Sequence, residues 1–281
     1  MSHTSDFPGQ QGVSLSVRAL RKSYGGIEVL KGVDFEVNAS EIFVIMGPSG
    51  GGKSVLLKLL IGLEKPDQGE VMIEGQPIQS PEATSRYRVA MVFQCGALLH
   101  SMTVGENVGI YLATHHLKSP SEIAAIVAED LERVGLKGTE DKMPDELSSG
   151  MRKLVAIARA LAVEPQLILY DKPTSELDPV SAVCIAERIV KLNAQFRATT
   201  LVVSHNRDLA FGIAHRIAML DEGRIVAIGT PEEIKRNPDP RVQRFLTASI
   251  VPRMEDSESL PLFGDELLAT IPAVNLPSVF I

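Results

Sequence analysis

An α/β fold on a largely parallel, two-sided sheet is predicted by three features of this 281-residue chain. Strand-like apolar runs alternate with helical patterns over its second half, the order that parallel strands and crossover helices require. A dense apolar run, Ile42-Phe43-Val44-Ile45-Met46, enters a glycine-rich turn and then a helical pattern. The length and a 44% hydrophobic content allow one large domain, or a core with a subdomain.

Residues 1–12 are polar and Gly/Pro-containing, and they read as a flexible N-terminus without the basic flank and apolar stretch of a secretory signal. Val13-Ser14-Leu15-Ser16-Val17 and Val33-Asp34-Phe35-Glu36-Val37 alternate apolar and polar residues, as half-buried antiparallel strands of a small β lobe do. After the 42–46 run and its turn, Val55-Leu56-Leu57-Lys58-Leu59-Leu60-Ile61 reads as a buried helix. From about 92 to 147 the character becomes helical, with Ile123, Ile126, Val127, Leu131 and Val134 at helical spacing. A further helix is predicted over 154–161. Strands follow at 167–170, 199–203 and 216–220. Between the first two, Asp178-Pro179 supplies an N-cap and a first-turn proline for a helix running to about Phe196. The tail from 251 to 281 is acidic, then mixed apolar, and is read either as a disordered terminus or as an arm docking Leu260, Leu262, Phe263 or Phe280 on another subunit.

Composition removes several function classes. A net charge of -7 argues against a whole-surface nucleic-acid footprint. Cys95 and Cys184 lack CxxC spacing, which suits a reducing compartment and inert packing roles rather than a disulfide framework. No run of ~18 or more apolar residues occurs, so a membrane role would have to come through a partner.

Two patterns carry chemistry, and a third joins them. Gly47-Pro48-Ser49-Gly50-Gly51-Gly52-Lys53-Ser54 fits the GxxxxGK[ST] phosphate loop and lies between a predicted strand and helix. Its glycines let backbone N–H groups converge on phosphates, Lys53 reaches the β/γ oxygens and Ser54 ligates Mg²⁺. Asp171, at the end of an apolar strand far downstream, can hold that magnesium through water. The segment Glu146-Leu147-Ser148-Ser149-Gly150-Met151-Arg152-Lys153 is a Ser/Gly-capped helix start, whose N–H groups and serine donors suit a γ-phosphate.

Together these ordered motifs resemble the ATP-binding cassette (ABC) ATPases over roughly residues 13–250. The resemblance implies a P-loop NTPase cassette with a RecA-like parallel-sheet core, an antiparallel β lobe and an α-helical subdomain at about 95–160. It implies ATP and Mg²⁺ as ligands, with Ser148, Ser149 and Gly150 closing over the nucleotide of a second ATPase subunit. Tyr24 resembles the aromatic that stacks on adenine, Gln94 the glutamine that meets Mg²⁺ and senses the permease, and His205 the histidine that contacts the γ-phosphate. Gln94-Cys95-Gly96-Ala97-Leu98, residues 149–153, Tyr170 and Asn237-Pro238-Asp239-Pro240 further resemble the ATPase of Mla, or MCE-associated, phospholipid transporters. That branch implies a homodimer beneath integral-membrane permease subunits, an MCE-domain lipid-binding protein, a small regulatory subunit, and a peripheral place on the cytoplasmic face of the bacterial inner membrane.

Four residues depart from the family pattern: Ser149 and Glu176 replace glycines, Asn206 an aspartate, and Lys172 the glutamate that acts as base. An ammonium cannot accept the proton of the attacking water, so ATP binding is expected to survive better than turnover. Ser149 and Glu176 are expected to weaken dimer closure. The rival reading is a non-hydrolysing ATP-gated regulatory or binding module. Soluble cassettes acting on ribosomes or DNA carry tandem cassettes or long coiled-coil insertions, which this sequence lacks.

Overall fold

A computed structural model of the chain describes residues 12–80, 83 and 86–247. The expectations for the first eleven residues and for the 251–281 arm lie outside the described residues.

Alternation builds the antiparallel lobe. Strands β1 (Leu15–Tyr24) and β2 (Ile27–Val37) pair with Leu15 opposite Val37 and Val17 opposite Phe35, all four side chains buried. The strands run well beyond the alternating segments read from sequence, because register shifts after Val17 break the period of two. Strands β4 (Gln68–Ile73) and β5 (Gln76–Pro77) complete the order β2-β1-β4-β5, and neither was predicted.

The second sheet has the order β10-β9-β3-β8-β7-β6. Strands β3 (Ile42–Met46), β6 (Val89–Val92), β7 (Leu167–Asp171), β8 (Thr199–Ser204) and β9 (Arg216–Asp221) form its parallel part. The unpredicted β10 (Arg224–Gly229) is its antiparallel edge. Strands covered on both faces read as continuous apolar runs, and β3 shows why. Phe43 and Ile45 face one core with Leu169 and Val203, while Val44 and Met46 face the other with Tyr170 and Val202. Helix α1 (Lys53–Leu60) and the antiparallel lobe cover the first face.

The predicted helical character from about 92 is corrected at its start: 89–92 is strand, and helix begins with α2 (Val104–Thr114). Helix α2 has a Thr103/Glu106 capping box, and α3 (Pro120–Arg133) has a Ser119/Glu122 box with Pro120 in its first turn. The helix predicted at 154 begins earlier, as α4 (Ser149–Leu161), because the Ser148 side chain accepts from Met151 N–H and sets the start there. Helix α5 (Pro179–Phe196) follows its predicted cap, with Asp178 Oδ1 3.0 Å from the N–H groups of Val180 and Ser181. Short helices α6 (Arg207–Ile213), α7 (Pro231–Arg236) and α8 (Pro240–Thr247) close the described chain. Cys95 and Cys184 are both exposed, which corrects the expectation of packing roles. Among the described residues no helix is long and apolar enough to cross a membrane.

Candidate functional site

Parallel pairing brings distant residues to one edge. Met46 is in register with Ser204, and Asp171 with Val203, so the loop after β3, His205 after β8 and Lys172 after β7 leave three neighbouring strand ends. Adjacent strands are about 4.8 Å apart.

The loop at 47–54 is held by close backbone contact. Gly47 has φ 155°, and a Cβ there would lie 2.0 Å from the Leu220 carbonyl oxygen at the end of β9. Gly52, the N-cap of α1, has φ 95°, and its Cβ would meet Leu30 Cδ2 at 2.8 Å. Lys53 is buried and donates to the carbonyls of Gly47 (2.9 Å) and Pro48 (2.7 Å). Burial, then the charge of Lys172, lowers its pKa to about 8, while Asp171 opposes the shift. A cleft of about 210 Å³ opens here, lined by Val29, Ser49, Gly50, Lys53, Ser54 and Lys172 among others.

Asp171 Oδ1 is buried and has no hydrogen-bond partner, alone in this among the side-chain N and O atoms of the described residues. Burial raises its pKa, and the charges of Lys172, Lys53 and Lys153 pull it back. An orphaned carboxylate oxygen is costly unless something polar completes it. With the Ser54 hydroxyl and the Gln94 amide on neighbouring segments, this donor set fits a hard cation such as Mg²⁺.

Lys172 is left-handed, with φ 44°, and its N–H donates to Val203 O at 2.8 Å. Its Nζ donates to Gln94 Oε1 at 3.2 Å, and Gln94 Nε2 donates to Glu176 Oε1 at 3.3 Å. Glu176 is also left-handed, with φ 65°, which explains on conformational grounds why a glycine would suit that turn. Ser149 has no such conformation: it is an exposed residue in the first turn of α4, where a Cβ is tolerated. Asn206 caps α6 through Oδ1, 2.9 Å from the Leu209 N–H, a task an aspartate would share.

The remaining expected site residues do not line the cleft. His205 is exposed after β8. Tyr24 is half exposed at the β1–β2 turn, and its hydroxyl donates to Glu64, the main cause of a phenol pKa pushed up to about 12. Ser148 and Gly150 are taken up locally, the first as a cap and the second against Ser181, whose Oγ would be 3.3 Å from an added Cβ. Among the described residues, none of Ser148, Ser149 and Gly150 lines the cleft at the 47–54 loop.

Three side chains to which sequence reasoning assigned no such role brace residues 94–103. Buried Lys153 donates to the Gln94 carbonyl, and Arg159 donates to Gly96 O and Ala97 O, both at 2.7 Å. A lysine next to the apolar run Leu154 to Ala158, on the buried side of α4, was the available signal for Lys153. Fully buried Asn107 accepts from Leu99 N–H (2.7 Å) and donates to the carbonyls of Leu99 (2.9 Å), Met102 (3.2 Å) and Thr103 (2.9 Å). Replacing Asn107 by leucine leaves those backbone groups unpaired, and an expected loss of about 2–3 kcal/mol follows. Denaturant melts check the stability, and faster amide exchange at Leu99 checks the loosening.

A model of the ABC transporter family matches residues 30–175. The probable ribonucleotide transport ATP-binding protein mkl of Mycobacterium leprae is 41% identical over 239 residues, covering 84% of this chain and 69% of that protein. The chloroplastic protein trigalactosyldiacylglycerol 3 of Arabidopsis thaliana is 38% identical over 257 residues, covering 85% and 74%. Among solved structures, an ATP-binding cassette in a post-hydrolysis dimer with ADP and Pi has a TM-score of 0.70 and 33% identity, over 77% of this chain and 98% of that one.

Proposed function

Because this chain belongs to the ABC transporter family, we propose that, beyond being an ATP-hydrolysing transporter cassette that takes ATP with Mg²⁺, it drives phospholipid movement between bacterial membranes. Family members dimerise and work with membrane permease subunits. The orphaned Asp171 Oδ1 beside Lys53 is the observation that carries the nucleotide site.

In this reading the N–H groups of 47–54 cradle the phosphates, and Lys53 leaves the Gly47 and Pro48 carbonyls for β/γ oxygens. Ser54, Gln94 and Asp171 would hold Mg²⁺, which would supply charge neutralisation on the phosphates. Tyr24 stacks on adenine once freed from Glu64, and His205 contacts the γ-phosphate. Ser148, Ser149 and Gly150 serve the nucleotide of the second subunit, and none of the three lines this chain's own cleft. Lys172, at the base position, slows turnover. A non-hydrolysing ATP-gated module is the second reading, and the position of Lys172 in the cleft is what favours it.

Permease coupling has a physical route. An apolar cleft of about 630 Å³, lined by Ile61, Tyr87, Met91, Phe93 and Tyr111, shares Phe93 with the segment carrying Gln94. A permease segment seated there would couple its motion to the site, and the MCE-type reading puts the complex on the cytoplasmic face of a bacterial inner membrane. The phospholipid reading draws on the likeness to the trigalactosyldiacylglycerol protein and on the 94–98 and 149–153 markers.

Affinity purification from native membranes is expected to recover permease subunits, an MCE-domain lipid-binding protein and a small regulatory subunit. Recovery on ribosomes without membrane proteins would overturn the transport reading of the chain.

A further inference from the structure

Gln94 is held at three atoms. Lys153 holds its backbone carbonyl, Lys172 Nζ sits 3.2 Å from its side-chain oxygen, and its amide nitrogen donates to Glu176 at 3.3 Å. An ammonium at the oxygen end and a carboxylate at the nitrogen end polarise the amide in the same sense, which strengthens Oε1 as an acceptor for a cation. The cation already placed on that oxygen belongs to the chain.

Nor is Lys172 free to drift. Its N–H donates to Val203 O at 2.8 Å, and its carbonyl accepts from Ser175 N–H at 3.1 Å and Ser175 Oγ at 2.9 Å. It lines the same cleft as Lys53 and Ser54 and directly follows Asp171, whose Oδ1 is buried without a partner. Three ammonium groups, those of Lys53, Lys153 and Lys172, act on that single carboxylate. Two of them, Lys53 and Lys172, line the cleft itself.

Resting on the nucleotide-site reading above, we propose that the Lys172 ammonium is a tethered counter-cation that stands in part for the divalent metal, so that this chain binds ATP with little dependence on Mg²⁺. Glu176 is a positioning residue in this device, acting through the Gln94 amide. The inference concerns binding, and it holds whatever the rate of hydrolysis.

The test is an anisotropy titration of a fluorescent ATP analogue in Mg²⁺ and in EDTA, for the wild type and for Lys172→Gln, Lys172→Arg and Glu176→Gln. EDTA is expected to weaken the wild type by less than about tenfold and Lys172→Gln by about a hundredfold, the scale set by losing a charge-assisted contact to phosphate. Lys172→Arg keeps the cation and should follow the wild type. Glu176→Gln should fall between, and because Glu176 is exposed it carries the test if Lys172→Gln melts early. Equal EDTA losses in the wild type, Lys172→Gln and Glu176→Gln overturn the tethered cation while leaving the nucleotide site standing. Failure to bind the analogue even in Mg²⁺ overturns that site reading, and the inference with it.

Discussion

Lys172→Glu is expected to raise the single-turnover rate of ATP hydrolysis by roughly 10²–10⁴-fold, the usual contribution of a positioned general base. The side chain at 172 already lines the phosphate cleft, so a carboxylate there would be delivered by the same backbone. That backbone is held by the hydrogen bond to Val203 O and by its left-handed turn, and lysine and glutamate meet a similar penalty in such a turn. The swap therefore changes chemistry with little change in conformation. An ammonium has no lone pair with which to take the proton of the attacking water; a carboxylate does. Removing the Lys172 to Gln94 contact also frees the Gln94 amide oxygen. The measurement uses protein in excess over radiolabelled ATP, in Mg²⁺, with Lys172→Gln as the variant that loses the charge without gaining a base. A wild-type rate equal to that of Lys172→Glu would sink the idea that lysine impairs the site. Neither protein hydrolysing ATP would favour the ATP-gated module.

Gly47→Ala is expected to cost about 3–5 kcal/mol, from overpacking and backbone strain acting together. The added Cβ would stand 2.0 Å from a backbone oxygen, that of Leu220, which cannot swing aside as a side-chain tip can. Leu220 pairs with Ile225 of β10, and the preceding Met219 pairs with Met46 of β3, so retreat of that carbonyl disturbs two ladders at once. For a domain of this size the melting midpoint should fall by roughly 6–20 °C, and nucleotide affinity should fall with it, since the loop's N–H groups lose their convergence. Gly212→Ala is the contrast. Gly212 lies in α6 with open space around it, and alanine there should leave stability unchanged or slightly raised. Calorimetry of the two variants separates contact at the loop from any general effect of adding a methyl group.

Much of this site is local and was therefore legible in sequence. The run 47–54 carries its glycines, lysine and serine consecutively between an apolar run and a helical pattern. Asp171 was marked by the buried strand that it ends, and the start of α5 by Asp178-Pro179. Other elements were hidden for identifiable reasons. The first half of β4 is exposed and polar, so it lacks alternation, and β10 is an edge strand with only partly buried side chains. Strand β6 is short, and its apolar residues merge with the segment read as the helical insert.

What the sequence by itself determined is the residue types at each strand end: a glycine-rich GxxxxGK[ST] run, an aspartate closing a buried strand and a lysine directly after it. Only the tertiary structure decided what those groups meet. The Gln94–Lys172–Glu176 arrangement, the grip of Lys153 and the lone oxygen of Asp171 depend on parallel register across β3, β8 and β7 and on two left-handed turns. Register is set by pairing between segments far apart in the chain, and a left-handed non-glycine residue is held by its neighbours in space. Neither leaves a trace in local periodicity.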